Sequence, residues 1–185
     1  MVEASKKSFD YFTREFTPFQ FRQLRILEFP RYASFAQSFA NTVPFSESIG
    51  FIADQRDPDA IDYVFYLTPH EIAHQWWGHQ VVGAGQQGST MLIESLSQYS
   101  ALMVMEREYG PHQMRRFLRY ELDRYLAGRA GELLGELPLA RVENQEYIHY
   151  RKGSLVFYAL KDAIGEQTLN GILRRFLQDK GFQSA

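Results

Sequence analysis

Apolar residues recur at helical spacing near the start of the chain. Phe9, Phe12 and Phe16 lie three and four residues apart, so residues 4–16 read as an amphipathic helix. Pro18 ends it, because a proline pushes the residue before it out of helical geometry. FRQLRILEF, residues 21–29, alternates loosely and predicts a strand that Pro30 stops. SESIGFIA, residues 46–53, predicts a second strand, followed by a polar turn over 54–59. From Ala60 the pattern turns helical. The apolar run 61–67 leads into Thr68-Pro69 and then HEIAHQWWGHQ. Residues 81–88 form a Gly/Gln-rich loop, and Ser89 or Thr90 offers a cap for a helix running to Tyr109, where Gly110-Pro111 breaks it. Residues 111–127 predict an Arg-rich helix, 129–146 an irregular stretch, and 147–164 and 166–180 two closing helices around Gly165. A small N-terminal sheet and five or six helices, without βαβ alternation, predict an α+β chain that is mostly helical. Its two parts are an aromatic-rich helix and strand region (1–59) and a helical region (60–185).

Composition changes this picture in two places. The 185 residues suit a single domain, and 45% hydrophobic with 23% charged residues excludes a disordered chain. Cysteine is absent, so disulfides, thiolate metal sites and cysteine nucleophiles are excluded. A net charge of −2 supplies no field for nucleic acid, and no apolar run reaches the ~18–20 residues that cross a bilayer. The chain itself is therefore expected to be soluble. Aromatic residues make up 15% of it, and twelve of them fall within residues 1–51. That excess suggests surface meant to be covered by something outside this chain.

The candidate chemistry lies in His70-Glu71-Ile72-Ala73-His74, an HExxH motif. Residues four apart on a helix differ by ~40° in direction, so both imidazoles can reach one zinc ion. Glu71 lies ~100° around from His70, beside the pair, where its carboxylate can hold a water without ligating the metal. Two plainer roles compete. One is a solvated helix face. The other is a capping box, with Thr68 as N-cap, Pro69 at the first helical position and Glu71 reaching back to the backbone. A zinc site of this kind needs a third ligand and an open fourth position. Between Gln75 and Met105 the only acidic residue is Glu94. His79, on a continued helix, would face ~180° away from His70 and reads as a surface or supporting residue. His112 and His149 are isolated and read as structural. Trp76 and Trp77 are expected to pack behind the motif.

HEIAHQWWG at 70–78, Glu94 and YRKG at 150–153 together resemble the gluzincin zinc aminopeptidases typified by aminopeptidase N. The resemblance covers about residues 9–176 and implies a thermolysin-like catalytic domain. It implies one Zn2+ per chain on His70, His74 and Glu94, with Glu71 as general base and Tyr150 stabilising the oxyanion. The reaction implied is zinc-dependent hydrolysis of a peptide substrate by aminopeptidase action. PFSESIG at 44–50 falls where the family carries GxMEN, which makes Glu47 the candidate for holding the substrate's amine. Three departures stand out. The His74–Glu94 spacing is one residue longer than usual, an excess the 81–88 loop can absorb. The amine motif is degenerate. Ala101 stands where the family often has an acid supporting the metal ligands. The wording HQVV, ESLSQYSALMVMEREYG and HYRKGSLVFYAL is similar to a bacterial branch in which such a domain accompanies ABC-transporter permease segments. That branch implies a larger, membrane-associated parent protein from which this piece is excised; for the piece alone the sequence assigns no localisation. Two alternatives stay open beside the aminopeptidase: a zinc-retaining, catalytically weak peptide-binding module, and an endopeptidase.

Overall fold

Helix α1 (Val2–Glu15) buries Ala4, Ser8, Tyr11 and Phe12 along one face. In this computed structural model, which describes residues 1–54, 56–57 and 60–183, that face lies against the end of the HExxH segment. Phe12 meets Trp76 edge-on with ring centroids 5.3 Å apart, and Phe16 meets Trp77 at the same separation. Such edge contacts add ~0.5–1.5 kcal/mol each beyond the area they bury. The helical spacing of Phe9, Phe12 and Phe16 thus anchors the N-terminal helix behind the candidate site, with both tryptophans fully buried as expected.

Strands β1 (Arg25–Phe29) and β2 (Thr42–Ser46) pair in parallel, Arg25 opposite Thr42 and Phe29 opposite Ser46. The second strand therefore lies upstream of the expected 46–53. Val43 and Phe45 alternate into the core, whereas Phe51 and Ile52 are exposed. Ser46 instead caps a one-turn helix, α2 (Glu47–Gly50), its Oγ accepting from the Ser48 amide at 3.3 Å. The chain between the strands doubles back along the other edge of β2. Gln37 N–H donates to Pro44 O (3.1 Å), Phe39 N–H to Thr42 O (2.8 Å) and Ser46 N–H to Phe35 O (3.0 Å). Residues 35–39 are thus a strap laid antiparallel on β2. Gln55, Pro58 and Asp59 of the expected polar turn lie outside the described residues.

Helix α3 (Tyr63–Ala73) starts five residues before Thr68. Its N-cap is Asp62, whose carboxylate accepts from Phe65 N–H at 2.8 Å. Thr68 Oγ1 instead donates to Val64 O at 2.7 Å, and Pro69 sits inside the helix. The capping box is therefore excluded: the buried Val64, Phe65 and Tyr66 draw helix onto the upstream turn, and Glu71 is freed from the backbone.

A π-helical turn, Met91–Ser95, opens into α4 (Leu96–Gly131), which carries no side-chain cap from Ser89 or Thr90. Every residue from Leu96 to Met105 is buried, so the first half of α4 runs through the core against α3. Gly110, at φ 77° and ψ 169°, breaks α4 before Pro111, as the sequence predicts. After a 3₁₀ turn (Leu139–Arg141), a second π-turn (Tyr147–Lys152) leads into α5 (Gly153–Ile164), and Gly165 at φ 87° turns the chain into α6 (Glu166–Lys180).

Candidate active site

Helix α3 places His70 and His74 one turn apart, with Nε2 atoms 3.0 Å from each other. The π-turn at the start of α4 brings Glu94 across from them, its Oε2 3.4 Å from each Nε2. One ligand atom from each of the three falls within 4.8 Å of the others. Glu94 Oε2 is buried and accepts no hydrogen bond, and two imidazole nitrogens point at one spot beside it. Two nitrogens and a carboxylate converging with space left over are the donor set of a catalytic zinc site. His74 Nδ1 lies 3.0 Å from Trp77 O and 3.0 Å from Ser97 Oγ. A carbonyl only accepts, so Nδ1 carries the proton and leaves the Nε2 lone pair for a metal. Nδ1 of His70 is buried without a hydrogen-bond partner among the described residues. With Ala101 in place of an acid, ligand support therefore falls on one histidine, through Ser97 and the Trp77 carbonyl.

Charges within the cluster oppose burial. Burial pulls the His74 imidazole down, and Glu94 and Glu71 outweigh it, taking it up to about 9. Burial raises the Glu94 carboxyl, and the two histidines 3.4 Å away outweigh it and pull it far below the usual carboxylate range. Burial raises Glu71 against the pull of His70 and His74. The Glu71 carboxylate accepts no hydrogen bond among the described residues and faces a cavity of about 470 Å³ shared with His70, His74, Glu94 and Tyr150. The Tyr150 ring centroid lies 5.8 Å from that of His70. Burial and the nearby carboxylate of Glu94 push its phenol far up, so it stays a donor.

Tyr150 and Glu94 both sit on π-turns, and the two turns are packed together. Ser95 Oγ donates to His149 O at 2.7 Å, and a Cβ on Gly153 would lie 2.5 Å from Ser95 Oγ. The glycine of YRKG is thus the condition for the turn bearing Tyr150 to close on the turn bearing Glu94. Lys152, one residue earlier, pairs with Glu136 away from the metal cluster. Glu47 begins α2, half-buried, and does not line either cavity beside Glu71.

Several contributors escape the sequence reading. Phe35, Ala36, Gln37 and Ser38 of the strap wall the cavity. Gln75, wholly buried, fixes the strap to the end of α3: its Nε2 donates to Ser38 Oγ (2.7 Å) and Phe39 O (2.9 Å), and its Oε1 accepts from Asn41 N–H (2.9 Å). His79 lines the same cavity, because α3 ends at Ala73 and the turn through Gly78, at φ 131°, carries it back. A polar glutamine directly after the second motif histidine was the one available signal for this anchor.

The sequence profile of the Peptidase family M1 domain matches residues 1–185. The chain belongs to the M1 peptidase family. Human endoplasmic reticulum aminopeptidase 2 is 23% identical over 193 residues, covering 100% of this chain and 20% of that protein. An M1 zinc metallopeptidase variant from Deinococcus radiodurans superposes with a TM-score of 0.70 at 18% identity, over 98% of this chain and 38% of that one. Yeast LTA4 hydrolase in its native form superposes with a TM-score of 0.73 at 13% identity, over 99% of this chain and 29% of that one. These likenesses establish the M1 metallopeptidase fold. The chain spans 20% of the human relative's length.

Proposed function

We propose that this M1 chain is a zinc-dependent peptidase core that hydrolyses peptide bonds as an aminopeptidase. The observation that carries the reading is the convergence of His70, His74 and Glu94 on one point, with Glu71 and Tyr150 on the same cavity. His70, His74 and Glu94 hold the metal. Zinc, when bound, polarises the scissile carbonyl and acidifies the attacking water. Glu71, raised by burial, takes the water's proton on a carboxylate oxygen and passes it to the leaving amine. The Tyr150 hydroxyl donates to the developing oxyanion, a contribution worth ~10²–10³ in rate.

The position of Glu47 outside the cavities supports a second reading, cleavage of internal bonds by a site that does not demand a free amine. A transporter-linked parent also belongs to the proposal, supported by the HQVV and HYRKGSLVFYAL wording. No helix among the described residues is long and apolar enough to cross a membrane.

The test pairs zinc content with hydrolysis of aminoacyl chromogenic amides. The expected result is one zinc per chain and turnover that Glu71→Gln lowers by ~10²–10⁴ while zinc is retained. Zinc well below one per chain sinks the metal site, and turnover indifferent to Glu71→Gln sinks the base. Full zinc without turnover favours a binding module, and cleavage of N-acetylated peptides favours the endopeptidase.

A further inference from the structure

A second cavity, of about 340 Å³, is lined by Glu71 and Tyr150 but not by Glu94. It shares Phe35, Ala36, His70, Glu71 and Tyr150 with the first, so a substrate spanning the site would place a side chain there. Its walls include Tyr63, Tyr66, Leu67, Gln98, Glu146 and Arg151. Arg151 is the only arginine or lysine among them, and its side chain is 20% exposed.

The state of that guanidinium is unusual. Only Nη1 is committed, to Glu121 Oε1 at 3.0 Å and Oε2 at 3.3 Å. Nε and Nη2 make no hydrogen bond among the described residues, although a guanidinium offers five N–H donors in a planar fork. Glu121 itself is wholly buried in the second half of α4. Burial pushes its carboxyl up to about 7 against the pull of Arg151, so it offsets the Arg151 charge only in part near neutral pH. Unspent, largely desolvated guanidinium donors beside a cavity match a carboxylate in geometry and charge. Two acids share this cavity wall: Glu71, which the proposed reaction uses, and Glu146, which is exposed and screened by solvent.

We propose that Arg151 is a specificity-determining residue that selects substrates with an acidic side chain next to the scissile bond. This rests on the peptidase reading above and deepens it. Arg151 anchors the substrate carboxylate through Nε and Nη2, and Glu121 positions Arg151 from behind.

Glutamyl and glutaminyl chromogenic amides are nearly isosteric and differ in charge, so their kcat/KM ratio isolates the effect. The zinc-loaded chain is expected to prefer glutamyl by about tenfold or more, the scale of one hydrogen bond to a charged group. Arg151→Lys narrows the ratio. Removing Arg151 alone strands a buried carboxylate, so the informative variant is Arg151→Met with Glu121→Leu, which replaces the pair by apolar volume. In that variant the ratio falls toward one whatever happens to turnover on both substrates; zinc content and thermal melting report whether it folds. A wild-type chain that cleaves glutaminyl or leucyl amides as well as glutamyl overturns the inference and leaves the peptidase reading standing. A preference for lysyl substrates overturns it in favour of Glu146, and a glutamyl preference surviving in the double variant removes Arg151 from the role. If no amide is cleaved at all, the peptidase reading fails, and the inference is then decided by binding. Glutamic acid α-hydroxamate must bind the zinc-loaded chain about tenfold tighter than glutamine α-hydroxamate, and equal binding overturns it.

Discussion

Gly153→Ala is a one-methyl probe of how the two halves of the site are joined. The new Cβ would lie 2.5 Å from Ser95 Oγ and 2.8 Å from Ser95 Cβ, so the turns bearing Glu94 and Tyr150 must separate or Ser95 must turn away. Overpacking of this size costs ~1–3 kcal/mol. Losing the Ser95–His149 bond costs ~1 kcal/mol more. Alanine returns ~1 kcal/mol of helix propensity at the start of α5. The net loss is ~1–3 kcal/mol, or a Tm lowered by ~2–12 °C for a chain of this size. Calorimetry on Gly153→Ala, Ser95→Gly and the double variant decides the cause. If the clash is the mechanism, Ser95→Gly relieves it, and the double variant is more stable than the sum of the singles by ~1 kcal/mol or more. Strict additivity would refute the close packing of the two turns. The same variants should release zinc to a chelator faster in proportion to the clash, since Ser95 follows Glu94 directly.

Three further outcomes follow from the same geometry. Zinc at a hundred times its Kd should add ~2.7 kcal/mol to stability, raising Tm by ~5–11 °C. His74→Ala should abolish that increment, and a Tm indifferent to zinc in the wild type would remove the metal site. Gly110→Ala should cost ~1–3 kcal/mol in thermal unfolding, because φ 77° with ψ 169° is a region essentially reserved for glycine; the space around it is open, so a neutral result would place the chain in another backbone conformation there. Glu121 gives a pH signature. Its carboxyl is raised from 4.5 to about 7, so the folded chain holds a proton that the unfolded chain has lost, and the stability it contributes is present below 4.5 and is lost as pH rises through 7. Melting curves at pH 5 and pH 8 should show that slope in the wild type and its loss in Glu121→Gln; an unchanged slope would assign the effect elsewhere.

The legible parts of the molecule were those governed by local chemistry. The spacing of Phe9, Phe12 and Phe16, the break at Gly110-Pro111 and the turn at Gly165 each rest on residues that dictate their own geometry, and all three stand. The convergence of His70, His74 and Glu94 was legible because an i, i+4 pair places two imidazoles together and only one acid was left within reach. What stayed hidden depends on contacts distant in sequence. The strap could not be read, because its anchoring by Gln75 joins residues more than thirty positions apart. Strand β2 was displaced for a related reason: SESIGFIA alternates plausibly, but burial at Val43 and Phe45 and the capping chemistry of Ser46 decide where the strand stops. Thr68 offered a competing cap because a threonine three residues before a glutamate carries capping chemistry wherever it occurs, and the upstream Asp62 cap shows that the helix had already begun.

The extra residue between His74 and Glu94 shows how the metal cluster tolerates a length change. A surface loop at 81–88 is the easy place to hide it, and the helix bearing Glu94 would then start as an ordinary α-helix. The structure instead has a π-turn over Met91–Ser95, and a π-turn is an α-helix that carries one additional residue. The excess can therefore be held beside Glu94. That placement has two effects. It turns Glu94 toward the Nε2 atoms of both histidines at equal distance, and it carries Ser95 onto the backbone of the turn that bears Tyr150. The turns bearing Glu94 and Tyr150 are thereby fixed to each other by the Ser95–His149 contact. The spacing that looked like a departure from the family pattern is consistent with the same cluster of side chains because the irregularity lies inside the cluster and is clamped there by Ser95 and Gly153.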